Sequence, residues 1–203
     1  MASGYRRASQ DAGSRVSINS KTHRTGSIDT GLSPVSIDTS ASQVQATVIA
    51  QGPAVAFFGS CVINDVFYIH GGVKTRADRS PSNRMYKFEN QTWTDITTDD
   101  SPVLSYHRCV VWNRGQYILA IGGWDGSKRK SDVYVYDVAN GSWHEAALSG
   151  FPSDGGLNNH AVVPLKSKDL EILVIGRDGS LRIQRRHGDA YCLRGDPNKR
   201  VFR

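Results

Sequence analysis

The sequence predicts an all-β protein: about three four-stranded antiparallel blades of a partial β-propeller, preceded by a disordered tail. Three observations carry this. An apolar run ending in a diglycine occurs twice, as Val66-Phe67-Tyr68-Ile69-His70-Gly71-Gly72 and as Gln116-Tyr117-Ile118-Leu119-Ala120-Ile121-Gly122-Gly123. Each is followed by a tyrosine, Tyr86 or Tyr136, 14 or 13 residues after the second glycine, and then by a tryptophan, Trp93 or Trp143, seven residues further on in both copies. A degraded third copy, Leu170 to Gly176, places Gly176 53 residues after Gly123, with Tyr191 as its third-strand aromatic. A repeat of roughly 40–50 residues with this content marks propeller blades.

Each element has a physical reason. The run before the diglycine is nearly continuous apolar, as a strand buried on both faces must be. The glycines permit positive φ and close backbone approach where the strand ends. Tyr86 and Tyr136 fall in third strands, and Trp93 and Trp143 open fourth strands, where large aromatics fill the wedge between blades. Trp143 is expected between the second and third blades. First strands begin at His107 and His160, and Cys61, Cys109 and Val162 are read as equivalent small apolar positions in them. Asn64-Asp65, Asn113-Arg114-Gly115, Asn90-Gln91 and Asn140-Gly141 supply the turns.

Ahead of the blades, residues 1–50 are rich in Ser and Thr and lack either hydrophobic period, so they read as a disordered basic tail; residues 51–203 form the repeat region. Arg6-Arg7-Ala8-Ser9 makes Ser9 a candidate phosphorylation site. No stretch approaches the ~20 apolar residues of a membrane helix, and no apolar signal segment opens the chain. Three cysteines without a paired motif fit a reducing, intracellular setting in the cytoplasm or nucleus. The six histidines are scattered singly along the chain, so neither a metal nor a cofactor is expected.

The net charge of +6 is uneven: residues 1–50 carry +2, residues 51–176 carry −1, and residues 177–203 carry +5. The last segment holds Arg185 and Arg186 without interleaved aromatics, which argues against nucleic acid and for a solvated surface. The loops after the diglycines, Val73 to Asn83 and Trp124 to Ser131, are polar and project from one face. Arg76, Arg79, Trp124, Lys128, Arg129 and Lys130 on them, with Arg185 and Arg186, are the candidate partner contacts. Arg129 is taken as a solvated loop residue.

The diglycine strands with their spaced aromatics resemble the kelch repeat, and Gly176-Arg177-Asp178-Gly179-Ser180 with Tyr191-Cys192-Leu193 carries a more particular resemblance within that family. The resemblance implies a non-enzymatic protein-interaction module, with an A-type cyclin as the implied partner. The alternatives it brings are an actin-binding scaffold and, less favoured, a kelch-fold oxidase or epimerase. Because kelch propellers close on more blades than three, the resemblance also implies a truncated N-terminal portion.

Overall fold

The computed structural model describes residues 46–148 except 76, 78 and 79, together with 156–165, 170–178, 186–196 and 201–202. All lie in the second of two units, Ala46–Arg203. Its elements are almost entirely strands. The first blade is the meander β1 (Gly59–Ile63), β2 (Val66–His70), β3 (Met85–Glu89) and β4 (Thr92–Asp95). The second is β5 (Arg108–Trp112), β6 (Tyr117–Trp124), β7 (Arg129–Asp137) and β8 (Ser142–Glu145). The third runs β10 (Ala161–Pro164), β11 (Glu171–Asp178), β12 (Arg186–Asp196), then β13 (Val201–Phe202), which pairs in parallel with β9 (Ala147–Leu148). The three sheets are successive propeller blades.

Tight turns follow the sequence. Asn64 and Asp65 have φ of 48° and 65°, and Asn90 and Gln91 have 48° and 60°. Two consecutive left-handed residues are what a type I′ hairpin requires, because its twist matches that of the flanking strands. Between β7 and β8 the loop is longer, and the Asp137 carboxylate accepts from the Ala139 and Asn140 amides at 3.0 and 3.1 Å.

The core is two blade junctions, and β6 serves both. Ile118 and Ala120 face the first blade and pack with Ile63, Met85, Leu104, Tyr136 and Trp143. Leu119 and Ile121 face the third blade and pack with Val133, Val135, Leu157, Ile172, Val174 and Leu193. Successive side chains of a strand point to opposite faces, so an apolar run is what a doubly covered strand needs.

Trp143 corrects an expectation. It lies in the junction of the first and second blades, with its ring 4.7 Å from that of His70 and 5.1 Å from that of Tyr136, and not between the second and third. The reason is parity: Tyr136 is paired with Ile118 and with Trp143, so all three share the face that Ile118 turns toward the first blade.

Register also revises the equal tyrosine-to-tryptophan spacing. Tyr86 pairs with Ile69, two residues before the diglycine, whereas Tyr136 pairs with Ile118, four residues before it. The register partner of Tyr136 in the first blade is therefore Phe88, which pairs with Phe67 and Trp93. The β7–β8 loop holds two more residues than the β3–β4 turn, and this compensates for the offset. Cys61 is likewise one residue out of step: it pairs with Tyr68, while Cys109 and Val162 pair with Ala120 and Val174. Ser60, opposite Ile69, is the match to Cys109. Cys61 and Cys109 instead pack from facing blades into one junction, and burial pushes the Cys61 thiol up to about 12 and Cys109 well above the ordinary range.

In the third blade, Gly176 replaces the first glycine of the pair, and not the second. The ladder shifts register at Gly122 in β6 and at Gly176 in β11, where φ is 64° and 69°. Arg177 stands where Gly123 would be. The first glycine is a strict position because the next repeat folds over it. A Cβ on Gly71 would lie 2.2 Å from the Leu104 carbonyl oxygen and 2.9 Å from the His107 ring. On Gly122 it would lie 2.5 Å from Leu157 and 3.2 Å from the His160 ring. Gly71→Ala should therefore destabilise by about 1–3 kcal/mol through backbone strain and contact. Gly188, with nothing within 4 Å, should accept alanine within about 0.5 kcal/mol. Thermal melts of the two variants check this contrast.

Candidate partner-binding surface

Each blade begins with the same left-handed residue two positions before its first strand. These are Phe57, Tyr106 and Asn159, with φ of 58°, 58° and 54°. Asparagine tolerates this conformation, but a bulky aromatic in it is strained by about 1–3 kcal/mol. Phe57 and Tyr106 nevertheless occupy it and stack on each other, centroids 4.3 Å apart at 23°. The Tyr106 amide donates to the Phe57 carbonyl at 2.8 Å. A stacked pair contributes about 0.5–1.5 kcal/mol, less than the strain of two such residues. Phe57 remains 53% exposed.

Backbone bridges fix this pair to the ends of the second strands. Ala56 pairs with Val73, and Ser105 with Trp124. Lys74 follows Val73 and is exposed; past Trp124 comes the tight turn Asp125–Lys128, in which the Asp125 carboxylate accepts the Ser127 and Lys128 amides, both at 2.8 Å. Burial is the largest single influence and raises the Asp125 carboxyl, but those bonds, with the Ser127 hydroxyl and Lys130, together outweigh it and hold it below its ordinary value. Among the described residues neither Lys74 nor Lys128 forms an ion pair.

The predicted contact residues separate on this frame. Lys128 is on the turn and exposed. Trp124, Arg129 and Lys130 are strand residues: Trp124 ends β6 and pairs with Arg129, and Gly123 pairs with Lys130. The polar loop is thus only Asp125–Lys128, because the ladder resumes past the Gly122 bulge. Arg129 is half-buried, its backbone lies against Gly156, and its Nη1 is enclosed; it is no solvated loop residue. Lys130 is paired with Asp132 at 2.8 Å. Arg186 lies in β12 opposite Asp178. Ser9, Arg76, Arg79 and Arg185 lie outside the described residues.

Beneath this surface, histidines that are isolated in sequence converge. His70, His107 and His160 are all at most 1% exposed. His70 Nδ1 lies 3.1 Å from His107 Nε2, across the junction of the first two blades. The Ser101 hydroxyl donates to the Asn83 carbonyl at 2.6 Å and lies 3.3 Å from His70 Nε2. Having spent its proton, Ser101 accepts from His70 Nε2–H, so His70 Nδ1 accepts from His107 Nε2–H. Burial drives His70 to about 4 and His160 to about 4, the latter with help from Arg108. His107 falls well below its ordinary value through burial first, then through His70, His160 and Arg108. Among the described residues no group of three or more His, Cys, Asp or Glu is placed to hold a metal ion.

Sequence reading overlooked Phe57, Tyr106 and Lys74. The signal was available in the alignment of first strands: Tyr106 and Asn159 precede His107 and His160, and an asparagine there hints at a left-handed position. Nothing in the sequence signals that Phe57 and Tyr106 touch.

The model of the KLHDC2/KLHL20/DRC7 Kelch-repeats domain matches residues 20–199. Human Kelch domain-containing protein 9 is 32% identical over 154 residues, which cover 73% of this chain and 43% of that protein. The mouse protein of the same name is 32% identical over 152 residues, again 73% and 43%. This chain thus spans less than half the length of these curated relatives.

Proposed function

The chain belongs to the kelch-repeat family, and from that premise we propose that it is a protein-binding module that catalyses no reaction and engages an A-type cyclin inside the cell. Kelch repeats generally serve as protein-interaction modules. The observation that carries the reading is the exposed, strained Phe57–Tyr106 stack with Lys74 and Lys128, which form no ion pair among the described residues, at the same end of the blades. Strain concentrates at sites that recognise something, and aromatic residues beside an uncommitted charge are how proteins hold one another. The cyclin is the partner implied by the resemblance.

Purified chain and purified A-type cyclin, mixed and passed over a sizing column, should co-elute. Actin filaments should leave the chain in the supernatant on sedimentation. Sedimentation with actin and no co-elution with cyclin would replace this partner with the scaffold alternative. Copper held at one equivalent per chain after dialysis would favour the oxidase reading instead.

A further inference from the structure

We propose that the stacked Phe57–Tyr106 pair, on the blade end that also carries Lys74 and Lys128, is the docking platform for an acidic linear peptide segment that lays one aromatic side chain on the Phe57 ring. The inference rests on the protein-binding reading and specifies its surface and ligand class.

Three independent features of the same blade end converge on it. The backbone at this position has φ of 54–58° in all three repeats, and only the third meets the demand with a residue suited to it, Asn159. The aromatics therefore stand where backbone stability alone would select glycine or asparagine. Their stack is not closed off by packing: Phe57 keeps 53% of its surface exposed, and a ring already offset-stacked on one side presents its other face to a ligand.

Charge then selects the ligand. Lys74 and Lys128 are exposed and have no ion pair among the described residues, whereas Arg84 and Lys130 are held by Asp95 and Asp132. Asp125 turns its Oδ1 into its own loop, and Asp178 accepts from the Asn159 side-chain amide at 2.6 Å, so among the described residues neither forms an ion pair with these lysines. Exposed lysines with no ion pair among the described residues disfavour a cationic guest on the ring and attract carboxylates. An acidic segment with an aromatic anchor satisfies both features.

The test uses the full chain and a labelled short polyglutamate peptide with one central tryptophan, followed by fluorescence anisotropy. Binding should weaken about tenfold when the tryptophan is alanine, and again when the glutamates are lysines or when salt is raised. Phe57→Gly should weaken it about tenfold while leaving the melting temperature unchanged or higher, since glycine relieves the left-handed strain. Phe57→Asn should behave alike, and Lys74→Glu with Lys128→Glu should abolish binding without changing the melting temperature.

Absence of peptide binding by the unaltered chain overturns the proposal. So does unaltered affinity in Phe57→Gly, or a melting temperature that falls sharply with affinity preserved, which would assign the ring to packing. A cyclin complex that forms equally with Phe57→Gly would sink this platform and leave the protein-binding reading standing. A chain that held neither peptide nor cyclin would sink both.

Discussion

Trp143→Ala is expected to destabilise the protein by about 3–5 kcal/mol, the largest effect of any single side-chain truncation in the first junction. Trp143 is 6% exposed and lies against Tyr136 and His70, so alanine leaves a cavity that two blades line together. The backbone there is also tied across the junction: the Asp100 carboxylate accepts the Trp143 amide at 2.8 Å. Relaxation into the cavity would have to break that bond. Lys128→Ala, on the exposed turn, should change stability by no more than about 0.5 kcal/mol. Double-mutant cycles decide which junction is involved. Trp143→Ala should couple to His70→Ala by about 0.5–3 kcal/mol and add to Val174→Ala within about 0.5 kcal/mol. Coupling to Val174 instead, measured by urea melts, would return the indole to the second junction.

Acidification should weaken the fold well before its carboxylates titrate. His70, His107 and His160 are neutral when folded and protonate with an ordinary value near 6.5 when unfolded. The unfolded chain therefore binds more protons between about 6.5 and about 4, and stability rises with pH across that window. Their stabilising contribution is complete above 6.5 and is lost progressively as pH falls toward 4. Each histidine contributes a limiting slope of about 1.4 kcal/mol per pH unit, so the three together remove several kcal/mol. Asp95, Asp100 and Asp125 act in the same direction but lower: their folded values lie below 3.8, so what they contribute is lost only as pH falls below the ordinary carboxylate range. Urea melts at pH 7.5, 6 and 5 should show the decline, and His70→Gln should flatten it by about one histidine's share. Stability constant down to pH 5 would mean that these rings are solvated or already charged.

What the sequence determined by itself is the repeat and therefore the architecture. Apolar runs closed by Gly71-Gly72 and Gly122-Gly123 are local statements about strands buried on both faces and backbones that must turn sharply. The asparagine-containing turns are equally local, because two left-handed residues in a row are a property of the turn itself. The kelch assignment followed from these residues.

Tertiary structure decided the register and the surface. Tyr86 and Tyr136 share a spacing to tryptophan only because a longer turn offsets a shifted pairing, and sequence distance cannot separate the two contributions. Trp143 belongs to the first junction because strand parity, not chain order, sets which blade it meets. Lys128 and Arg129 are neighbours in sequence, yet one is exposed on a turn and the other half-buried, since the ladder resumes between them. His70 and His107, 37 residues apart, share a hydrogen bond, and Phe57 and Tyr106 share a stack, because successive blades bring equivalent positions side by side. Contacts of this kind depend on how the blades are placed against one another, which no window of sequence contains.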